Sequence, residues 1–131
     1  MTKANYNPNE LMICTASRLM EDNATVFIGT GLPMLAGALA QKMHAPNLIS
    51  IFEFGGTGAV LEELPLAVGE RRTFHKSLSA SGILDVVETA QRGFVDYGFL
   101  GGAQIDPYGN LNSSTPVVGP VINISSPTFT D

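Results

Sequence analysis

The chain has 131 residues, 44% of them hydrophobic and 15% charged, with a net charge of −5 and a pI of about 4.8. That length suits one domain large enough for a real core. The acidic balance excludes general nucleic-acid binding, which needs a basic patch, and Arg71-Arg72 is the only basic doublet. Charged residues fall below the usual quarter of a soluble chain, as expected of a large core or of a surface that a partner covers. Cys14 is the only cysteine, so no intrachain disulfide can form, and a buried inert thiol is expected there. The N-terminus is polar, and no apolar run reaches membrane-spanning length. The expectation is a cytoplasmic protein without a membrane partner.

In chain order, Asn9 is the expected cap of a first helix running to about Glu21. Leu11, Met12, Thr15, Ala16, Leu19 and Met20 lie on one face of it at helical spacing. Thr25 to Ile28 is a short apolar strand of the kind found in parallel sheets covered on both faces. Gly29-Thr30-Gly31 is a tight turn, and Leu32-Pro33 opens a second helix, proline being suited to the first turn. Leu35, Ala38, Leu39, Lys42 and Met43 keep the helical period. The small residues Ala36, Gly37, Ala38 and Ala40 make the helix thin enough to lie close on a sheet. His44 to Asn47 stops it, and Leu48 to Phe52 is the second strand. The unit has the length of a right-handed crossover.

Residues 53–66 read as an irregular glycine-rich loop, and 69–76 have no clear pattern. Ile83, Leu84, Val87 and Ala90 predict a third helix ending near Arg92-Gly93, and Tyr97 to Leu100 a third strand. Asp106-Pro107-Tyr108-Gly109-Asn110 has turn chemistry, with Leu111-Asn112 pairing back as a short arm. From Thr115 the character changes: Pro116, Pro120 and Pro127 punctuate Val, Ile, Ser and Thr with no helical period. The fold class is α/β, a mainly parallel open sheet with helices on both faces.

Chemistry points first to Glu53. A carboxylate follows the apolar run Leu48-Ile49-Ser50-Ile51-Phe52 and precedes Gly55, Gly56 and Gly58. Open α/β sheets hold ligands at the carboxyl ends of their strands. Glycines there let a ligand approach the backbone and offer N–H donors. Glu53 could serve as a nucleophile or a general base, or be an ordinary solvated acid on a turn. Gly29-Thr30-Gly31 sits at a strand-to-helix turn, where backbone N–H groups favour negative charge. Glu62 and Glu63 are rival acids that read as a solvated edge. His44, at a helix end, reads as a cap, and His75 is open to a site role. Gln104 and Asp106 read as structural hydrogen-bonding groups around a turn. The two histidines and one cysteine make no metal-binding spacing, so no metal is expected.

Two separated blocks then carry a resemblance. Val26-Phe27-Ile28-Gly29-Thr30-Gly31-Leu32-Pro33, followed by Ala45-Pro46-Asn47 and the strand ending in Glu53, resembles the B (β) subunit of class I CoA-transferases, the glutaconate type above all. Gly101-Gly102-Ala103-Gln104-Ile105-Asp106-Pro107-Tyr108-Gly109-Asn110 is a second block of the same family. The resemblance covers 1–115, leaving 116–131 as a proline-punctuated arm or tail.

It implies that Glu53 is the nucleophile, forming an acyl–glutamyl anhydride and then an enzyme–CoA thioester. It further implies that coenzyme A is a substrate with no bound cofactor. Gly29, Thr30, Gly31, Gly55, Gly56, Gly58, Gly101, Gly102 and Gln104 become oxyanion- or CoA-binding positions. The partners implied are an acyl-CoA, a small carboxylic acid, and an A (α) subunit or a second copy of the chain. The family's loop pattern Glu-x-Gly-x-x-Gly-x-x-Pro is met at Glu53, Gly55 and Gly58, while Leu61 replaces the proline. Phe54 stands where the glutaconate type more often has serine, and a bulky aromatic there would reshape an acyl pocket. Family B subunits are longer and carry a later glycine-rich segment, so the chain reads as the front half of such a subunit. Two other functions stay open beside transfer: a catalytically silent binding or assembly module, and an acyl-CoA hydrolase using the same glutamate.

Overall fold

The computed structural model describes residues 5–112; the expected arm at 116–131 lies outside them. They divide into two compact units, one running to Leu100 and one beginning at Gly101.

The first unit opens with α1 (Pro8–Leu19), capped by Asn7 rather than Asn9. Pro8 occupies the first turn, where its missing N–H costs nothing. The Asn7 side chain accepts from Glu10 N at 2.9 Å, and Glu10 Oε2 accepts from Asn7 N at 2.9 Å. This reciprocal box fixes the helix start. Then follow β1 (Thr25–Ile28), α2 (Leu32–Met43), β2 (Ile49–Phe52) and β3 (Gly56–Thr57). After a 3₁₀ turn (Arg71–Phe74) come β4 (Ser79–Ala80), α3 (Ile83–Gln91) and β5 (Tyr97–Phe99).

The sheet order is β4-β3-β2-β1-β5. β1 pairs in parallel with β2 and β5; β3 is antiparallel to both β2 and β4. All strands but β3 therefore run the same way, as the mainly parallel sheet expected from sequence requires. β1 to β2 crosses toward one edge of the sheet and β4 to β5 toward the other. β3, β4 and the 3₁₀ turn were not foreseen: each strand has two residues, too short for any periodicity to show.

The core is built from Val26, Ile28, Phe52 and Leu48 of the strands and their approaches against Met34, Ala36, Ala38 and Ala40 of α2. A side chain on Gly37 would meet Ile28 Cδ1 at 2.6 Å, so α2 lies on β1 at glycine distance. The first two helices bury only part of the stripes expected of them, Ala16 and Met20 in α1 and Ala38 in α2 among them. Leu11, Met12, Thr15 and Leu19 are exposed, whereas Ile13, Ala16, Ser17 and Met20 carry α1 onto its neighbours. In α2 the small residues are buried, and Lys42 and Met43 are exposed. Close α1–α2 packing favours the faces rich in small residues. Cys14 is exposed, not buried, because it lies off that face.

The second unit contains a hairpin, β6 (Gln104–Ile105) against β7 (Leu111–Asn112). Asp106 organises its turn. Its Oδ1 accepts from Tyr108 N and Asn110 N, both at 2.9 Å, and its Oδ2 accepts from Asn110 Nδ2 at 2.7 Å. Those bonds, the Asn110 side chain first, hold the Asp106 carboxyl below its ordinary range. Among the described residues no helix is long and apolar enough to cross a membrane.

Candidate functional site

Glu53 occupies the carboxyl end of β2, as its sequence position suggested. The chain beyond it forms a tight hairpin, not a loose loop. Glu53 and Phe54 are the central residues of a reverse turn closed by Gly55 N donating to Phe52 O at 2.9 Å. Gly58 N donates to Ser50 O at 2.6 Å, and Ile51 pairs with Thr57. The parallel register ends at Ile28–Phe52, so Gly29 and Glu53 are the residues that follow the last paired positions of β1 and β2. On the other side of β1, Ile28 pairs with Phe99, so Leu100 follows beside Gly29. The site edge thus reads Leu100, Gly29, Glu53 across three parallel strands. β1 lies where the strand order reverses, the position at which open α/β sheets hold ligands.

The Glu53 side chain is exposed and makes no hydrogen bond or ion pair among the described residues. Its rivals are engaged. Glu62 bonds Lys76 and approaches His75 Nε2 at 3.2 Å; Lys76, then His75, hold its carboxyl below the ordinary range. Arg72 meets Glu63 at 3.1 Å and Glu70 at 2.8 Å. A cleft of about 540 Å³ lies among Glu62, Arg71, Arg72, Phe74, His75 and Lys76, and Glu53 does not line it. Its walls are largely these ion pairs, so the cleft is secondary to the sheet edge as a place for chemistry.

The glycines near Glu53 have a different task from the one expected. The N–H groups of Gly55 and Gly58 bond inside the hairpin, so in this conformation they are not donors to a ligand. Gly55 has φ +114°, and a Cβ on it would overlap the Ser81 carbonyl; one on Gly56 would overlap that of Thr73. Both are glycine because other backbone lies against them. Gly29 N likewise donates to Phe99 O at 2.8 Å. The N–H groups of Thr30, Gly31 and Phe54 have no acceptor among the described residues. Thr30 and Gly31 stand at the start of α2, where Gly31 caps without a side chain. That helix end is suited to negative charge.

Gly101, Gly102 and Gln104 belong to the second unit. Gln104 Oε1 accepts from Asn112 Nδ2 at 2.9 Å across the hairpin, the structural role its position suggested. A side chain on Gly102 would press on Leu111 Cδ2 at 2.9 Å.

Two supporting contacts escaped the sequence reading. Gln41 Nε2 donates to Ala59 O at 3.1 Å and to Leu48 O at 3.4 Å, and its Oε1 accepts from Leu61 N at 3.3 Å. It clamps the chain leaving the hairpin. Asp22 accepts from Asn47 N at 2.7 Å and Asn47 Nδ2 at 3.0 Å, and His44 Nε2 lies 3.1 Å from Met20 O. These bonds tie the approach to β1 to the turn before β2, which makes His44 a structural cap. Only the turn signal at Pro46-Asn47 hinted at them; partners 25 residues apart leave no local pattern.

The family model for coenzyme A transferase matches residues 9–125. The chain belongs to the coenzyme A transferase family. It is 36% identical over 115 residues to the B subunit of 3-oxoadipate CoA-transferase from Pseudomonas knackmussii, covering 87% of this chain and 44% of that one. The B subunit of glutaconate CoA-transferase from Acidaminococcus fermentans is 31% identical over 116 residues, 85% of this chain and 44% of that one. The crystal structure of that glutaconate enzyme superposes with a TM-score of 0.74 at 29% identity, over 86% of this chain and 45% of the other. The decarboxylase AibA/AibB superposes at 0.71 with 28% identity, over 81% and 45%. The relatives at these identities include CoA-transferase B subunits, and the fold is theirs. The chain spans less than half the length of the curated relatives it matches.

Proposed function

We propose that this chain is the nucleophile-bearing component of an acyl-CoA:carboxylate CoA-transferase, with Glu53 as the nucleophile and coenzyme A as a substrate. The observation that carries the reading is the place of Glu53. It is a carboxylate without a partner among the described residues, directly after the Ile28–Phe52 pair at the carboxyl end of β2, the same sheet edge from which β1 leads into α2. Membership of the family supports the reaction class.

The chemistry balances without a metal or a net proton. A Glu53 carboxylate oxygen attacks the thioester carbonyl carbon, the C–S bond breaks, and CoA leaves as thiolate from an acyl–glutamyl anhydride. The thiolate attacks the glutamyl carbon, releasing the first acid and leaving a glutamyl–CoA thioester. An acceptor carboxylate reverses both steps and departs as the new acyl-CoA, restoring Glu53. Each tetrahedral intermediate carries an oxyanion, and the N–H groups of Thr30, Gly31 and Phe54 are the candidates to receive it. Gly55, Gly56 and Gly58 shape the hairpin that presents Glu53. Gly101, Gly102 and Gln104 remain candidates for the CoA side.

The partner we propose is an A-type subunit, since the curated relatives are B subunits; a second copy of the chain is the alternative. Covalent exchange of this kind gives ping-pong kinetics. With the partner present, labelled acid should exchange into its own acyl-CoA with no second acid added. Glu53→Gln should abolish the exchange while far-ultraviolet circular dichroism stays unchanged. Undiminished exchange in that variant would remove Glu53 from the role.

The likeness to a decarboxylase favours one second reading, loss of carbon dioxide from a carboxylate-bearing acyl-CoA. Release of carbon dioxide without any acceptor acid would select it. Hydrolysis would instead give free CoA and acid with water alone, and binding without turnover would indicate an assembly module.

A further inference from the structure

The Glu53 side chain makes no hydrogen bond or ion pair among the described residues, so its carboxylate is placed by the backbone of its turn. The turn enters from Phe52, which is fully buried in the core. On leaving, it is clasped at two points by residues 68–73. A Cβ on Gly56 would stand 2.1 Å from Thr73 O, so the two backbones are in direct contact. The Phe54 ring lies against Gly69, where a Cβ would stand 3.2 Å from Phe54 Cδ2. One buried hydroxyl ties these two points together. Thr73 is fully buried, and its Oγ1 lies 2.6 Å from Glu70 O and 3.1 Å from Val68 O, the carbonyls on either side of Gly69. Its single proton serves both acceptors. Glu70 O also accepts from Thr73 N at 2.9 Å, whereas Val68 O has no other donor among the described residues. The Thr73 hydroxyl therefore holds the bend at Gly69 to the 3₁₀ turn.

We propose that Thr73 is a positioning residue for Glu53: its hydroxyl fixes the 68–73 loop that braces the turn through Phe54 and Gly56, and the rate of acyl capture depends on it. This rests on Glu53 being the nucleophile and adds the residue that aims it. Thr73 is buried and cannot touch a substrate, so its effect on rate passes through the turn. Attack on a thioester carbonyl needs the carboxylate oxygen at a defined distance and angle. A nucleophile without a side-chain bond of its own takes that precision from the backbone beneath it. Thr73→Val keeps the shape of the side chain and removes the hydroxyl. Val68 O is then left without a donor, and the loop must shift to satisfy it. Direct backbone contact passes that shift to Gly56, and the Gly69 contact passes it to Phe54.

The test uses the chain assembled with its partner, in saturating excess over acetyl-, butyryl- or glutaryl-CoA labelled in the acyl group. The first-order rate constant for release of labelled acid is measured in a single turnover. Under those conditions it does not depend on how much of a variant folds. Thr73→Val should slow release by about ten- to a hundred-fold. Thr73→Ser keeps the hydroxyl and loses a buried methyl, so it should melt earlier than wild type yet release acid at close to the wild-type rate. Phe54→Ala cuts a half-exposed side chain at the other end of the brace and should also slow release by about ten-fold; it carries the test if Thr73→Val does not fold. A wild-type rate in Thr73→Val or in Phe54→Ala, or Thr73→Ser slowed as much as Thr73→Val, overturns the inference and leaves Glu53 standing as nucleophile so long as Glu53→Gln is inactive. If no form releases acid, or Glu53→Gln releases it as fast as wild type, the role of Glu53 fails and this inference with it.

Discussion

The backbone of Gly55 packs directly on that of Ser81. Ser81 N donates to Gly55 O at 3.1 Å, Ser81 Oγ lies 3.4 Å from the same oxygen, and a Cβ on Gly55 would overlap the Ser81 carbonyl. This contact joins the Glu53 turn to the segment before α3. Gly55→Ala meets two obstacles at once, the backbone overlap and the left-handed φ of +114°. The strained torsion alone costs about 1–3 kcal/mol, and the overlap forces the hairpin to move as well. Urea unfolding should show a loss of at least that size. Ser81→Ala, which removes only a long hydroxyl bond and keeps the backbone pair, should cost under about 1 kcal/mol.

Gln41→Leu keeps the side-chain volume and removes the clamp on the hairpin exit. Leu61 N loses its acceptor, while Ala59 O retains Ser50 Oγ at 3.1 Å. One part-buried group left without a partner predicts a loss of about 1–3 kcal/mol. Amide hydrogen exchange should quicken at Leu61 more than in α2, and equal rates at Leu61 in both proteins would count against the clamp.

Asp22 gives a pH signature. Its carboxyl is held below the usual carboxylate range by hydrogen bonds from the Asn47 side chain first and the Asn47 backbone next. A native pKa lower than the unfolded one means that folding favours the ionised form. The stability it contributes is complete above the unfolded pKa, about 3.9, and is lost as pH falls through the depressed native value. Asp22→Asn should therefore lie closest to wild type in stability at the acid end. The gap between the two should widen as pH rises toward about 5. A gap that stays constant with pH in thermal melts would show that Asp22 is not coupled to folding.

Much of this fold was legible because its longer elements obey local rules. β1 is one apolar run with a glycine turn behind it, and α2 announces itself with Pro33. The candidate site was legible as a position: an acid after a buried strand falls on the carboxyl edge whatever the partners. The function of the glycines was not. Gly55 and Gly56 look like room for a ligand until Ser81 and Thr73, 26 and 17 residues away, are seen lying against them. The engaged N–H groups of Gly55 and Gly58 depend on hairpin pairing that two-residue strands cannot signal. Helix faces failed in part for a related reason. Of the expected α1 stripe, Ala16 and Met20 pack inward beside Ile13 and Ser17, while Leu11, Met12, Thr15 and Leu19 are exposed, and only packing against neighbouring elements decides which.

The central claim is covalent capture at Glu53, and peptide mass mapping tests it most directly. The chain with its partner is incubated with an acyl-CoA, treated with borohydride, digested and sequenced by fragmentation. A glutamyl–CoA thioester is reduced to an alcohol, while a free carboxylate resists, so the peptide containing Glu53 should appear as the lighter alcohol in high yield. In Glu53→Gln that product should vanish. An unmodified Glu53 peptide beside a reduced glutamate on the partner would place the nucleophile there and contradict the account.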